Sequence, residues 1–77
     1  MKKITIYSTP TCTYCKMAKE LLTEKGIPFE SVDVQADIAR RKEMIEKSGQ
    51  MGVPVIDIDG EIMVGFDRDQ LLAKAQG

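Results

Sequence analysis

The spacing of apolar residues divides the first half of the chain into alternating strands and helices. Segment 2–7 (KKITIY) is rich in β-branched residues and predicts a strand, and 29–34 (FESVDV) predicts a second one. Between them a helical period runs over 12–25 and is closed by Gly26, and a second helical period covers 36–48. The expected apolar face of the first helix consists of Tyr14, Ala18, Leu21 and Leu22.

The predicted second helix has one apolar side and one charged side. Ile38, Met44 and Ile45 form the apolar side, which we expect to pack on a sheet. On the charged side, Glu43 stands four residues before Lys47, which is the favourable order for an ion pair on a helix.

The second half of the chain predicts a hairpin followed by a helix. Segments 53–58 and 61–64 read as short strands, and Asp59-Gly60 between them is a strong signal for a tight turn. The last helix is expected to open at Asp67, which has the form of a capping box with Gln70. Its inward side is then Leu71, Leu72 and Ala75.

The order β-α-β-α-β-β-α predicts an α/β fold with one four-stranded mixed sheet. The first β-α-β unit should be a parallel crossover, and the last two strands an antiparallel hairpin in the same sheet. Because the first strand is apolar on both sides, we expect helices on both faces of the sheet. A chain of 77 residues fits a single domain, 1–77.

Composition and charge narrow the classes of partner. The chain has 11 basic and 12 acidic residues, and its basic run at 40–42 lies among acidic residues as a solvated helix face would, so we expect no nucleic-acid partner. No apolar run spans a membrane, and the apolar stretch after Lys3 is too short for a secretory signal. We therefore expect a cytoplasmic monomer without a membrane partner.

Cys12 and Cys15 are the only cysteines, and their spacing makes a structural bridge a poor explanation. A disulfide there closes a loop of about four residues and stabilises by roughly 2 kcal/mol, without joining distant parts of the chain. A structural zinc site needs four ligands, and the chain has no histidine and no further cysteine. We expect no metal within one subunit, whereas a site shared by two subunits or completed by an outside thiol stays open.

A reactive dithiol explains the position of both cysteines. Cys12 falls at the start of a helix, where unpaired amides and the helix dipole stabilise a thiolate. Cys15 lies about one turn inside the helix, where we expect its thiol to be less exposed and protonated. From there it is placed to attack a mixed disulfide formed at Cys12. A CxxC motif beside a β-α-β pattern is a redox signature. Lys16 has two interpretations, a cation that favours the thiolate or a solvated helix lysine.

Gly52-Val53-Pro54 opens the third predicted strand. Proline donates no N–H, which suits a strand start. We predict a cis Val53–Pro54 bond packed beside Cys12, with the Val53 backbone free to pair with an extended substrate.

At this point the sequence resembles the glutaredoxin group of the thioredoxin fold over its whole length. The matching segments are IYSTPTCTYCKMAK, KSGQMGVPVIDIDG and VGFDRDQL. The resemblance implies that Cys12 is the nucleophile, that Cys15 resolves the mixed disulfide, and that Val53 and Pro54 contact substrate. It also implies that Tyr14 borders a glutathione site, with packing against the loop as its alternative, and that Gln50 meets the glycyl carboxylate of glutathione.

Three departures from the glutaredoxin pattern bear on glutathione. Thr13 replaces the usual proline of the motif, and Thr9 stands where many glutaredoxins have a lysine. Gly65-Phe66 replaces a double glycine, and the phenylalanine is expected to narrow the glutathione site. This segment is more similar to that of NrdH-type redoxins, which take electrons from thioredoxin reductase and pass them to a ribonucleotide reductase. Asp67 and Asp69 are either ligands for an ammonium group or only caps of the last helix.

The sequence therefore predicts a thiol–disulfide oxidoreductase without a bound cofactor. Its external reductant is glutathione, or thioredoxin reductase with NADPH, and its substrate is a disulfide-containing protein such as ribonucleotide reductase, or a glutathione mixed disulfide. Two alternatives belong to other classes. One is a dimeric iron–sulfur carrier that uses Cys12 with glutathione, and the other is a redox-inert binding module.

Overall fold

The computed structural model of the protein describes residues 3–50, 52 and 54–76. Its elements are β1 (Ile4–Ser8), α1 (Thr13–Glu24), β2 (Glu30–Asp33), α2 (Ile38–Ser48), β3 (Val55–Ile58), β4 (Glu61–Val64) and α3 (Arg68–Gln76). The predicted kinds and order of elements are confirmed. The turn between β3 and β4 is also as expected, since Asp59 and Gly60 have φ values of 53° and 96°, both positive as a tight hairpin requires.

The four strands form one mixed sheet in the order β2-β1-β3-β4. β1 and β2 are parallel, while β1 with β3 and β3 with β4 are antiparallel. The register pairs Tyr7 with Val55 and Val55 with Val64, so the end of β1, the start of β3 and the end of β4 lie at the same edge. The loop that carries Cys12 leaves the sheet at this edge.

Helices cover both faces of the sheet, as predicted. The face under α1 and α3 has a core of aliphatic residues, namely Ile4, Ile6, Ala18, Leu21, Leu22, Ile56, Ile58, Met63 and Leu71. The face under α2 has a smaller core, namely Tyr7, Val32, Val34, Met44 and Val55. Of the helices in the described ranges, none is long and apolar enough to cross a membrane.

Two residues expected on apolar helix faces are exposed instead. Tyr14, in the first turn of α1, is 61% exposed, and Ile38, the first residue of α2, is 67% exposed. Both lie where a helix has just begun, and it is the later residues, such as Ala18 and Met44, that reach the core. Helical period alone assigned them to the buried side, and that assignment was wrong.

A polar network joins α2 to the sheet. The Tyr7 hydroxyl donates to Glu43 and accepts from Lys47 Nζ at 3.3 Å, while Arg40 Nε bonds Glu43 at 3.0 Å. Lys47 forms its ion pair with Asp57 on β3 at 2.8 Å, whereas the sequence paired it with Glu43. Packing on the sheet brings Asp57 within reach of Lys47, and Glu43 turns to Arg40 and Tyr7. Burial raises the pKa of Tyr7, and its hydrogen bond to Glu43 acts in the same direction.

Candidate active site

Cys12 is the N-cap residue of α1. Its backbone is extended, with φ −87° and ψ 113°, and the helix begins at the next residue, Thr13. The Cys12 Sγ atom accepts a hydrogen bond from the Cys15 N–H, with 3.2 Å between sulfur and nitrogen. Cysteine sulfur thus takes the place that a Ser or Asp oxygen commonly fills at an N-cap. The side chain remains partly exposed, so an incoming disulfide can reach the sulfur.

Cys15 lies one turn inside the helix and is completely buried. Burial raises the pKa of its thiol to about 12, and a hydrogen bond with Cys12 adds to this effect. A backbone hydrogen bond from Thr9 and the positive charge of Lys19 act in the opposite direction. Both cysteines are free thiols in this structure. The two sulfurs therefore differ as the sequence predicted, one accessible and one shielded.

The segment before β3 lies beside the cysteine loop. Extending the register places Pro54 opposite Ser8, and the Pro54 carbonyl accepts a hydrogen bond from Gly65 N–H at 2.9 Å. Pro54 itself is buried. The loops that follow β1, precede β3 and follow β4 thus meet at one edge of the sheet. The predicted cis bond and the substrate contact involve Val53, which lies outside the described residues.

Gln50 is exposed just before this segment, and its side-chain amide lies against Gly52. A Cβ atom built on Gly52 would stand 3.5 Å from Gln50 Nε2. The backbone of Gln50 is tied to the end of α2, because the Ser48 hydroxyl donates to the Gln50 carbonyl at 3.0 Å. The Gln50 side chain is therefore exposed beside Gly52, and its contact with glutathione stays a prediction.

Two lysines of α1 follow the motif, and the structure distinguishes them. The Lys16 side chain is 77% exposed and lies 4.0 Å from Glu20. Lys19 is half-buried and is the cation whose charge acts on Cys15. Of the two interpretations of Lys16, its exposure favours the solvated helix lysine, whereas sequence reasoning did not consider Lys19. The helical period could have indicated Lys19, since it stands four residues after Cys15 and seven after Cys12 and so lies on the same side of the helix.

Tyr14 and Asp67 lie on the surface at the two helix starts. Tyr14 is exposed, which disfavours packing against the loop and leaves its ring open to a partner. Asp67 Oδ1 accepts hydrogen bonds from the backbone amides of Asp69 at 3.1 Å and Gln70 at 3.2 Å. Asp67 is thus a helix cap for α3, whatever else it contacts.

The site offers thiol chemistry. An accessible sulfur at a helix N-terminus is suited to nucleophilic attack on a disulfide, and a second thiol one turn away is suited to release the product. Within the described ranges, no cluster of three or more cysteine or acidic residues has the arrangement to hold a metal ion. The fold and the two thiols together are those of a thiol–disulfide oxidoreductase.

Comparison with known proteins defines the family. The glutaredoxin family model matches residues 4–63. The chain is 53% identical over 74 residues to an uncharacterized glutaredoxin-like 8.6 kDa protein in the rubredoxin operon of Clostridium pasteurianum, covering 92% of this chain and 99% of that one. It is 42% identical over 67 residues to glutaredoxin 3 of Escherichia coli K12, covering 87% and 81%. The chain belongs to the glutaredoxin family.

Solved structures agree with this assignment. A mutant of a thioredoxin-like protein superposes with a TM-score of 0.91 at 33% identity, covering 99% of this chain and 97% of that one. The glutaredoxin-like NrdH-redoxin of Escherichia coli, described as having a thioredoxin-like activity profile, gives a TM-score of 0.81 at 25% identity and 92% coverage of both chains. The fold is therefore thioredoxin-like, and glutaredoxin-like proteins use no bound cofactor.

Proposed function

We propose that this protein is a cytoplasmic, monomeric thiol–disulfide oxidoreductase that works through the Cys12–Cys15 dithiol. The observation that carries the proposal is the pairing of a partly exposed Cys12 sulfur, held by the Cys15 amide, with a fully buried Cys15 thiol. A reducing cytoplasm keeps such a dithiol available for reaction.

The reaction has two steps. In the first, the Cys12 thiolate attacks a substrate disulfide, so that a Cys12–substrate bond forms and the outer substrate sulfur leaves as a thiolate. In the second, the Cys15 sulfur gives up its proton and attacks Cys12 Sγ. The Cys12–Cys15 disulfide forms, the bond to substrate breaks, and the second substrate sulfur leaves as a thiolate and takes up a proton. Two electrons pass from the protein to the substrate.

We further infer that thioredoxin reductase, with NADPH, is the reductant, as in NrdH-type redoxins. The Gly65-Phe66 segment supports this choice, because it departs from the double glycine of glutaredoxins, and Phe66 packs against the core just before α3. The substrate would then be a protein disulfide, with ribonucleotide reductase as the candidate.

The sequence identity to glutaredoxin 3 is 42%, against 25% to the NrdH-redoxin, and this difference favours glutathione as the reductant. The following experiment distinguishes the two reductants. The oxidised protein is mixed with glutathione, glutathione reductase and NADPH, or with thioredoxin reductase and NADPH, and NADPH consumption is followed. Turnover with thioredoxin reductase alone is expected. Turnover only with glutathione would overturn the inferred reductant while leaving the dithiol mechanism intact.

A further inference from the structure

Lys19 lies on the same side of α1 as the two cysteines. At about 100° per residue, Lys19 is turned about 20° from Cys12 and about 40° from Cys15, and it falls between them around the helix axis. Lys16 is turned about 100° from Cys15, on the other side of Cys12. Side chains on a helix lean toward its N-terminus, so the Lys19 side chain is directed toward the turn that holds Cys15.

The surroundings of Lys19 support a role at the cysteines. Its side chain is half-buried, whereas that of Lys16 is 77% exposed and lies near Glu20. Among the described residues, no carboxylate lies within ion-pair distance of Lys19, so its charge is not neutralised locally. The electrostatic interaction of a half-buried, unpaired cation with a neighbouring group is stronger than that of a cation that is solvated and paired with a carboxylate.

A nearby positive charge favours the second step of the proposed reaction. Cys15 is fully buried, and burial opposes formation of its thiolate. The groups that act on it are Cys12 and the Thr9 backbone from the loop after β1, and Lys19 from its own helix. Lys19 is the only cation among them. When Cys12 is bound to substrate it has no charge, and the Thr9 amide and Lys19 are the groups left that favour the Cys15 thiolate.

We propose that Lys19 is a positioning residue for the resolving step, in which its ammonium group stabilises the Cys15 sulfur as it attacks the Cys12–substrate disulfide. The inference rests on the proposed function. Lys19 acts in the second thiol–disulfide exchange and not in the first, because the helix N-terminus already stabilises the Cys12 thiolate.

The experiment separates the two steps with DTNB, a symmetric aromatic disulfide. Attack by Cys12 releases one coloured thiolate, and resolution by Cys15 releases a second, so the reduced protein gives two phases in stopped flow. Lys19→Gln is expected to slow the second phase about three- to tenfold at neutral pH and to shift its pH profile to higher pH. Loss of the cation raises the pKa of Cys15, and the thiolate fraction falls about tenfold per pKa unit. Lys19→Arg should restore the second phase to within about twofold, since it keeps the charge.

Lys16→Gln is the matched control and should leave the second phase unchanged. The inference is overturned if Lys19→Gln resolves at the wild-type rate, if Lys19→Arg is as slow as Lys19→Gln, or if Lys16→Gln has the same effect. Circular dichroism of each variant identifies any loss of folding. If the wild-type protein releases no second thiolate, the proposed function itself fails, and that result is distinct from the others.

Discussion

The backbone N–H of Cys15 donates to the Sγ atom of Cys12 over 3.2 Å, while the side chain of Cys15 is completely buried. One residue thus does two things for the site. Its amide binds the nucleophilic sulfur at the helix start, and its buried thiol lies one helical turn further on. A substitution such as Cys15→Ser changes the side chain and leaves the amide in place, so the two roles are separable by experiment.

Cys12→Ser is expected to abolish disulfide reduction, because a serine hydroxyl is not a nucleophile for disulfides at neutral pH. Cys15→Ser should keep the first step, since the amide that binds Cys12 Sγ is unchanged, and should accumulate a mixed disulfide with substrate. Mass spectrometry after reaction with a small disulfide measures both outcomes. Residual turnover in Cys12→Ser would exclude this cysteine as the nucleophile.

Partner binding in the Cys12→Ser/Cys15→Ser double variant tests a different class of function. A redox-inert binding module would bind its partner as the wild type does and would need neither thiol. We expect no disulfide exchange with any partner in this variant.

The resolving step is expected to accelerate as pH rises. Burial raises the pKa of Cys15 to about 12, and the contribution from Cys12 disappears once Cys12 is bound to substrate, so the relevant value lies below that figure. Below its pKa the thiolate fraction rises about tenfold per pH unit. The second DTNB phase should therefore increase across about pH 7 to 9 without reaching a plateau. A rate that is flat over this range would contradict a protonated Cys15 in the mixed disulfide.

Much of the site could be predicted from short-range sequence signals. Two cysteines three residues apart at a strand-to-helix junction predict an exposed and a buried thiol, because the helix start and the helix turn fix where each one points. The Asp59-Gly60 turn is equally local, since positive φ at both residues is what that pair of residues tolerates.

The features that sequence reasoning missed depend on how elements pack. Lys47 pairs with Asp57 only because α2 lies over β3, and no helical period contains that information. Tyr14 satisfies the apolar period of α1 yet is exposed, while its neighbour Cys15 is completely buried, and the helical period alone does not distinguish the two positions. The choice between Lys19 and Lys16 depends on both kinds of information. Helix geometry places Lys19 on the side of the two cysteines, but only the burial of the two side chains shows that Lys16 is the solvated one.

Tyr7→Phe is expected to destabilise the protein by about 1–2 kcal/mol at neutral pH, because it removes a hydroxyl bonded to the ionised groups of Glu43 and Lys47. The free energy of unfolding is measured in urea. Tyr14→Phe is the matched control, and since Tyr14 is 61% exposed its effect should stay within about 0.5 kcal/mol. Equal effects of the two substitutions would mean that the α2 network adds nothing to stability.

The pH dependence of this difference has a defined sign. Folding raises the pKa of Tyr7, so its hydroxyl contributes stability fully below the unfolded value of about 10 and loses that contribution as pH rises through the folded value. The difference between wild type and Tyr7→Phe should therefore shrink above about pH 10. A difference that grows with pH would show that the folded protein prefers the Tyr7 phenolate.

Asp67→Ala tests whether this carboxylate does more than cap α3. Loss of its bonds to the amides of Asp69 and Gln70 should lower the free energy of unfolding by about 1 kcal/mol. Asp37 offers a matched control, because its Oδ1 atom caps α2 through the Arg40 amide at 3.1 Å. We expect similar losses of stability in the two variants and unchanged turnover with thioredoxin reductase in both. If Asp67→Ala alone loses glutathione-dependent turnover while Asp37→Ala keeps it, Asp67 binds glutathione directly, and the assignment of thioredoxin reductase as the reductant falls with that result.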